Sequence, residues 1–197
     1  MRYVMPDQDY LLYSFRRCPY AIRARTALAI IAMPYRLIEV DLRNKPTDFL
    51  AWSPKGTVPV LVINQTQVID ESIDIVDWCM KKKPDQFAPD HSSDEEILAS
   101  LSKTFIPAIN HIKYPDRYTD TDIDRDIKTI LGFLGAFELQ LTDVSFTKLS
   151  RCQLLVLPLV RQFYRIETSL FVYSFPYLES WLKAWLDNPL FKQVMAK

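Results

Sequence analysis

Residues Tyr10 to Ile31 limit what this chain can become more than any other stretch, because they read as a strand that stops at a cysteine and resumes as a helix. Leu11, Leu12, Tyr13, Ser14 and Phe15 form a short β-prone run, and Arg16 and Arg17 end it before Cys18, Pro19 and Tyr20. Proline suits the first position of a helix, where its missing N–H would have had no partner and its φ is already near the helical value. Beyond it Tyr20, Ala24, Ala27, Leu28 and Ile31 share one helical face, while Arg23 and Arg25 fall off it. The spacing therefore puts Cys18 at a helix N-cap.

Unpaired backbone N–H groups and the positive end of the helix dipole favour a thiolate at such a position. Arg16, Arg17, Arg23 and Arg25 push the same way, so the sequence predicts a reactive Cys18 with a lowered pKa. The plainer fate of a free cysteine is a small buried core residue. Cys79, inside an apolar helical pattern, and Cys152, near the start of another, are read that way.

The chain has 197 residues, 49% of them hydrophobic, which is enough for one large core or two small ones. Its 24 basic and 24 acidic residues cancel, and no basic run exceeds Lys81–Lys83, which argues against a nucleic-acid partner. Three widely spaced cysteines make a disulfide framework improbable and fit a reducing compartment. No charged segment followed by an apolar one opens the chain, so no signal peptide is expected. The apolar run Leu154–Val160 is too short to span a bilayer and contains Pro158. A cytoplasmic protein without membrane attachment is the expectation.

Residues 1–83 alternate between strand and helix signals. After the first helix and Pro34, Tyr35–Leu42 partly alternates, giving a βαβ unit with a parallel pair. Arg43–Thr47 leads through Phe49 and Trp52 to the loop Ser53–Thr57. Val58–Ile63 is too β-branched for a comfortable helix, and Pro59 near its start implies a sheet edge or a cis bond. Asn64–Gln67 turns the chain into an antiparallel strand at Val68 and Ile69. Asp70, Glu71 and Ser72 then open a helix containing Ile73, Ile75, Val76, Trp78 and Met80, where they serve either as caps or as something more.

Residues 84–93, with Pro84 and Pro89, read as a linker, and residues 94–197 as an all-helical domain. Ser93 and Glu96 have capping-box spacing before the stripe Ile97, Leu101, Phe105, Ile109 and Ile112, which Pro107 is expected to kink. Ile123, Ile127, Ile130, Leu134, Phe137 and Leu141 outline a second long helix, with Gly132 and Gly135 as close-packing sites. Ser150 and Gln153 repeat the capping-box spacing ahead of the apolar, central Leu154–Val160. Pro176–Leu186 and Pro189–Ala196 complete the bundle.

Four motifs stand in order across the first domain: Phe15-Arg16-Arg17-Cys18-Pro19-Tyr20, Leu42-Arg43-Asn44-Lys45-Pro46, Ser53-Pro54-Lys55-Gly56-Thr57-Val58-Pro59-Val60-Leu61 and Asp70-Glu71-Ser72. Together they resemble the cysteine-type, omega-like glutathione transferases, including their bacterial relatives, and Leu157–Phe163 is a looser likeness in the second domain. The resemblance implies a thioredoxin-like α/β domain of βαβ-ββα order followed by an all-α helical bundle.

The resemblance also assigns roles. Cys18 matches the catalytic cysteine that faces the glutathione sulfur, and Val58 the residue whose backbone pairs with the cysteinyl part beside a cis bond to Pro59. Glu71 would take the γ-glutamyl ammonium, Ser72 its carboxylate and Lys45 the glycyl carboxylate. A tripeptide with two carboxylates and one ammonium needs such partners at separated points. His111, Tyr114, Arg117, Tyr118 and Tyr164 are candidates for the electrophile pocket, weighed against ordinary core packing. No His and Cys cluster has metal-ligand spacing, so no metal is expected.

Cys18-Pro19-Tyr20-Ala21 lacks a second cysteine, so exchange would be monothiol. The expected activity is a glutathione-dependent thiol transferase or reductase acting on disulfides, dehydroascorbate-type compounds or glutathionyl adducts. Conjugation or dehalogenation of small electrophiles is the alternative enzyme, and a non-catalytic protein-binding adaptor is the alternative of another class. A homodimer follows from the resemblance alone. Two departures from the family stand out, a short Thr142–Leu149 connection and Gln153 where an acidic residue is usual.

Overall fold

The computed structural model describes residues 10–119, 121–141 and 147–196. The expectation for Thr142–Leu149 therefore falls largely outside the described residues. In chain order the elements are β1 (Tyr10–Ser14), α1 (Pro19–Ile30), β2 (Arg36–Glu39), α2 (Thr47–Trp52), β3 (Val60–Ile63), β4 (Gln67–Ile69) and α3 (Ser72–Lys82). They continue with α4 (Asp94–Ser100), α5 (Ile106–Lys113), α6 (Ile123–Leu139), α7 (Arg151–Tyr164), α8 (Thr168–Ser174), α9 (Pro176–Asp187) and α10 (Pro189–Met195). No described helix is long and apolar enough to cross a membrane.

The four strands form one mixed sheet in the order β2-β1-β3-β4. β1 pairs in parallel with β2, Leu12 opposite Leu37, and antiparallel with β3, Leu12 opposite Leu61. β3 pairs antiparallel with β4, Val62 opposite Val68. This is the thioredoxin-like βαβ-ββα domain. β3 is an inner strand buried on both faces, which explains its unbroken apolar sequence. Pro59 lies just before β3 and forms a cis bond with Val58, so of the two readings of this proline the cis bond holds and the sheet edge does not.

Side chains alternate across the sheet. On one face Leu11, Tyr13, Phe15, Ile38, Val40, Val60 and Val62 pack with Phe49 and Trp52 of α2. The alternate face carries Leu12, Ser14 and Leu61, and α1 reaches it through Arg25, which donates to the Ser14 hydroxyl. α1 in turn packs against α3 and α10.

The chain divides into two units, residues 1–87 with 189–197, and residues 88–188. The expected helical domain of 94–197 thus loses its end: α10 folds with the sheet, and Arg25 Nε donates to the Val194 carbonyl at 3.2 Å. Phe191 and Val194 are buried there.

In the helical unit, α7 is capped by Ser150 and Gln153 in a reciprocal box, the Gln153 N–H to Ser150 Oγ and the Ser150 N–H to Gln153 Oε1 both at 3.2 Å. Cys152 to Val160 are all buried, and α7 runs through Pro158 unbroken. The other expected box does not form. Ser93 Oγ is engaged by His91 and Gln140, and Asp94 Oδ2 accepts the His91 N–H at 3.0 Å instead.

The irregularity near Pro107 is a π-helical turn over Leu101–Phe105 that joins α4 to α5, a way of absorbing the missing proline N–H upstream. Gly132 has no neighbour within 4 Å of an added Cβ, so it is no close-packing site, and Gly135 meets Phe175 at an ordinary 3.7 Å. Ile123, the first residue of the apolar pattern that outlines α6, is 38% exposed.

Candidate functional site

Cys18 occupies the N-cap of α1, as the run from strand to Pro19 requires. Its backbone N–H closes a turn to Phe15 at 3.0 Å, and its carbonyl accepts the Ile22 N–H at 2.9 Å. The side chain is half-buried and caps nothing; Sγ donates to the Val58 carbonyl oxygen at 3.8 Å. That carbonyl belongs to the peptide that precedes Pro59.

The electrostatics correct the expectation of a lowered pKa. Burial pushes the Cys18 thiol up, and this outweighs the opposing pull of the Ala21 and Tyr20 backbone N–H groups and of Arg25 and Arg23. The Arg16 backbone N–H donates to Glu39 at 2.8 Å, and the Arg17 guanidinium lies 5.8 Å from the Phe15 ring centroid. Cys79 is pushed up to about 12 and Cys152 further, both by burial first.

Arg25 is 1% exposed and ties together the end of β1. Besides Ser14 and Val194, it donates to the carbonyls of Phe15 at 3.4 Å and Arg16 at 2.7 Å. The turn that presents Cys18 is thereby fixed from behind. Arg23, 3% exposed, places its guanidinium 5.0 Å from the Tyr20 ring centroid and directs Nη1 to Ser72 Oγ at 3.5 Å. Burial pulls its pKa down to about 10.

Ser72 is the buried first residue of α3, and Glu71 is its N-cap. The Glu71 side chain makes no capping bond, so the capping role considered for it is not the one it plays. Instead Glu71 Oε1 meets Lys55 Nζ at 2.9 Å, and Asp70 Oδ2 meets the same nitrogen at 3.0 Å. Lys55 lies in the tight turn closed by the Gly56 N–H to Ser53 carbonyl bond of 2.8 Å. Gly56 has φ +63°, and Lys45 Nζ approaches so closely that a Cβ on Gly56 would stand 2.9 Å from it. The turn before Val58 therefore brings both lysines to one loop.

Among the expected site residues, Cys18 and Val58 are in contact, Lys45 lies over the turn leading to Val58, and Glu71 is joined to that turn by Lys55. Ser72 is linked to Arg23, which lies one helical turn beyond Cys18. Lys55 is the residue that sequence reasoning missed, because a turn lysine looks solvated, and Arg23, expected only as a charge near Cys18, also reaches Ser72.

In the helical unit, His111 Nδ1 lies 2.8 Å from Oδ2 of the buried Asp126, and its ring is edge-on to Tyr118 at 4.5 Å. Tyr114 carries Arg117 at 4.5 Å and Lys113 at 4.7 Å over its ring. Tyr164 packs instead against Phe171, 5.1 Å between centroids. No group of three or more metal-ligating side chains occurs among the described residues.

The family described as "Glutathione S-transferase, N-terminal domain" matches residues 17–82. The chain is 25% identical over 194 residues to glutathione S-transferase omega-1 of Sus scrofa, covering 94% of this chain and 80% of that protein. It is 38% identical over 69 residues to glutathione S-transferase omega-2 of Rattus norvegicus, a match spanning 35% of this chain and 28% of that one. A glutathione transferase family member from Pseudomonas fluorescens pf-5, solved with two glutathione molecules bound, shares the fold at a TM-score of 0.77 and 18% identity, covering 96% of this chain and 95% of the other. Residues 17–82, around Cys18, thus match a glutathione S-transferase N-terminal domain, and the chain is similar to an omega glutathione transferase along nearly its whole length.

Proposed function

We propose that this protein is a glutathione-dependent thiol transferase or reductase in which Cys18 is the one exchanging thiol. The matching N-terminal domain and the likeness to omega glutathione transferases support the broad class, a glutathione-dependent transferase with glutathione as cosubstrate. The observation that carries the finer reading is the half-buried Cys18 at the start of α1 with its sulfur against the Val58 carbonyl, while Cys79 and Cys152 are buried.

In the proposed cycle the Cys18 thiolate attacks the glutathionyl sulfur of a mixed disulfide. A Cys18–glutathione disulfide forms, the substrate sulfur leaves as a thiolate, and it takes up a proton. The thiolate of a second glutathione attacks the glutathionyl sulfur on Cys18, giving oxidised glutathione and restoring Cys18. Glutathione would lie with its cysteinyl backbone on Val58, its ammonium at Glu71, its γ-glutamyl carboxylate at Ser72 and its glycyl carboxylate at Lys45. Disulfides, dehydroascorbate-type compounds and glutathionyl adducts are the proposed substrates, in a cytoplasmic homodimer. A sedimentation mass of one 23.1 kDa chain at working concentration would remove the dimer.

The test is glutathione-dependent reduction of a small mixed disulfide by wild type and Cys18→Ser. Loss of turnover in the variant is expected, and full activity would overturn the assignment. The burial that raises the Cys18 thiol favours one second reading, conjugation or dehalogenation, in which an un-ionised Cys18 would only donate to the glutathione sulfur. Aryl-halide turnover that exceeds disulfide reduction and survives Cys18→Ser would select it.

A further inference from the structure

Lys55, Asp70 and Glu71 form a triad of one cation and two carboxylates, so the cluster is short of one positive charge. Its position matters because Glu71 is the residue read above as the acceptor of the γ-glutamyl ammonium. Lys55 Nζ, 2.9 Å from Glu71 Oε1, already stands where an ammonium bound to that oxygen would stand. Two ammonium groups crowded on one carboxylate repel each other at such separations.

We propose that Lys55 is a built-in counter-ion of the glutathione site: it holds Glu71 in the free chain and yields it to the ligand's ammonium, retreating to Asp70. The proposal rests on the Glu71 reading and deepens it by naming the residue that competes with a ligand's free γ-glutamyl amino group and so tempers the affinity for it. Three features make the exchange feasible. The Lys55 side chain is 54% exposed and that of Glu71 61%, so solvent assists the parting. Asp70 Oδ2, 3.0 Å from the same nitrogen, keeps Lys55 paired after it leaves Glu71. The turn closed between Ser53 and Gly56 holds the lysine backbone in place throughout.

The occupant carries a cost for the ligand, because each glutathione that binds must break one ion pair before making its own. Removing the lysine should therefore tighten glutathione binding. Removal should leave unchanged the binding of a glutathione analogue whose γ-glutamyl amino group is absent, since that ligand never asks for Glu71.

The experiment is equilibrium titration of wild type and Lys55→Gln with reduced glutathione and with glutaryl-cysteinyl-glycine, the deamino analogue. The expected result is that wild type prefers glutathione, that Lys55→Gln binds glutathione about two- to fivefold tighter, the scale of an exposed ion pair, and that the analogue binds both proteins alike. Equal or weaker glutathione binding by Lys55→Gln, with wild type still preferring glutathione over the analogue, would overturn the counter-ion role and leave the Glu71 reading standing. Equal affinity of wild type for the two ligands would overturn the Glu71 reading itself, and the counter-ion role with it.

Discussion

The Cys18 sulfur lies 3.8 Å from the carbonyl oxygen of Val58 and donates its proton there. A carbonyl dipole aimed at sulfur favours the thiol over the thiolate, and burial works in the same direction. The helix N-terminus and the two buried arginines oppose both. In the free chain the thiol wins.

Alkylation of Cys18 by iodoacetamide, followed against pH in the absence of glutathione, should therefore show a midpoint above the ordinary cysteine value. The raised pKa means that thiolate is scarce at neutral pH and rises only in the alkaline range. A midpoint below 7 would show that the N-cap and arginines outweigh burial. Cys79 and Cys152 should stay unmodified until the chain is unfolded, since both side chains are buried.

Arg25→Met should destabilise the protein by about 2–4 kcal/mol, because it strands several buried acceptors at once. The Ser14 hydroxyl and the carbonyls of Arg16 and Val194 lose this donor, while the Phe15 carbonyl keeps only the Cys18 N–H. Urea titration measures the change. A loss under 0.5 kcal/mol would mean that water replaces the guanidinium at little cost.

Much of the first unit is readable from its sequence because the signals are local. A short β-prone run marks β1, partial alternation marks β2, the β-branched run marks β3, and Pro19 fixes where α1 begins. The Ser150–Gln153 box is equally local and forms. Ser93 has the same spacing, yet its hydroxyl is drawn off by Gln140, 47 residues away, which no spacing rule sees. α10 escaped its place for a related reason: Phe191 and Val194 would satisfy any core, and only Arg25 reaching Val194 reveals which one. The direction of the Cys18 shift was illegible because it is a balance. Charges and a helix start can be counted in a sequence, whereas the burial that opposes them is a property of the fold.

Gly56→Ala should raise the glutathione KM about two- to fivefold, the weight of one exposed charge pair. With φ at +63°, a Cβ there strains the turn and stands 2.9 Å from Lys45 Nζ, so the lysine must move. If Lys45 meets the glycyl carboxylate, γ-glutamylcysteine, which lacks that group, should show no such penalty in steady-state assays. An equal penalty for both thiols would take Lys45 out of the site.

The central claim, that Cys18 is the exchanging thiol, is tested most directly by the intact mass of the protein after incubation with oxidised glutathione, wild type beside Cys18→Ser. One glutathione adduct on the wild type and none on the variant is the predicted result. An unmodified wild type, or an adduct that persists in Cys18→Ser, would contradict the account.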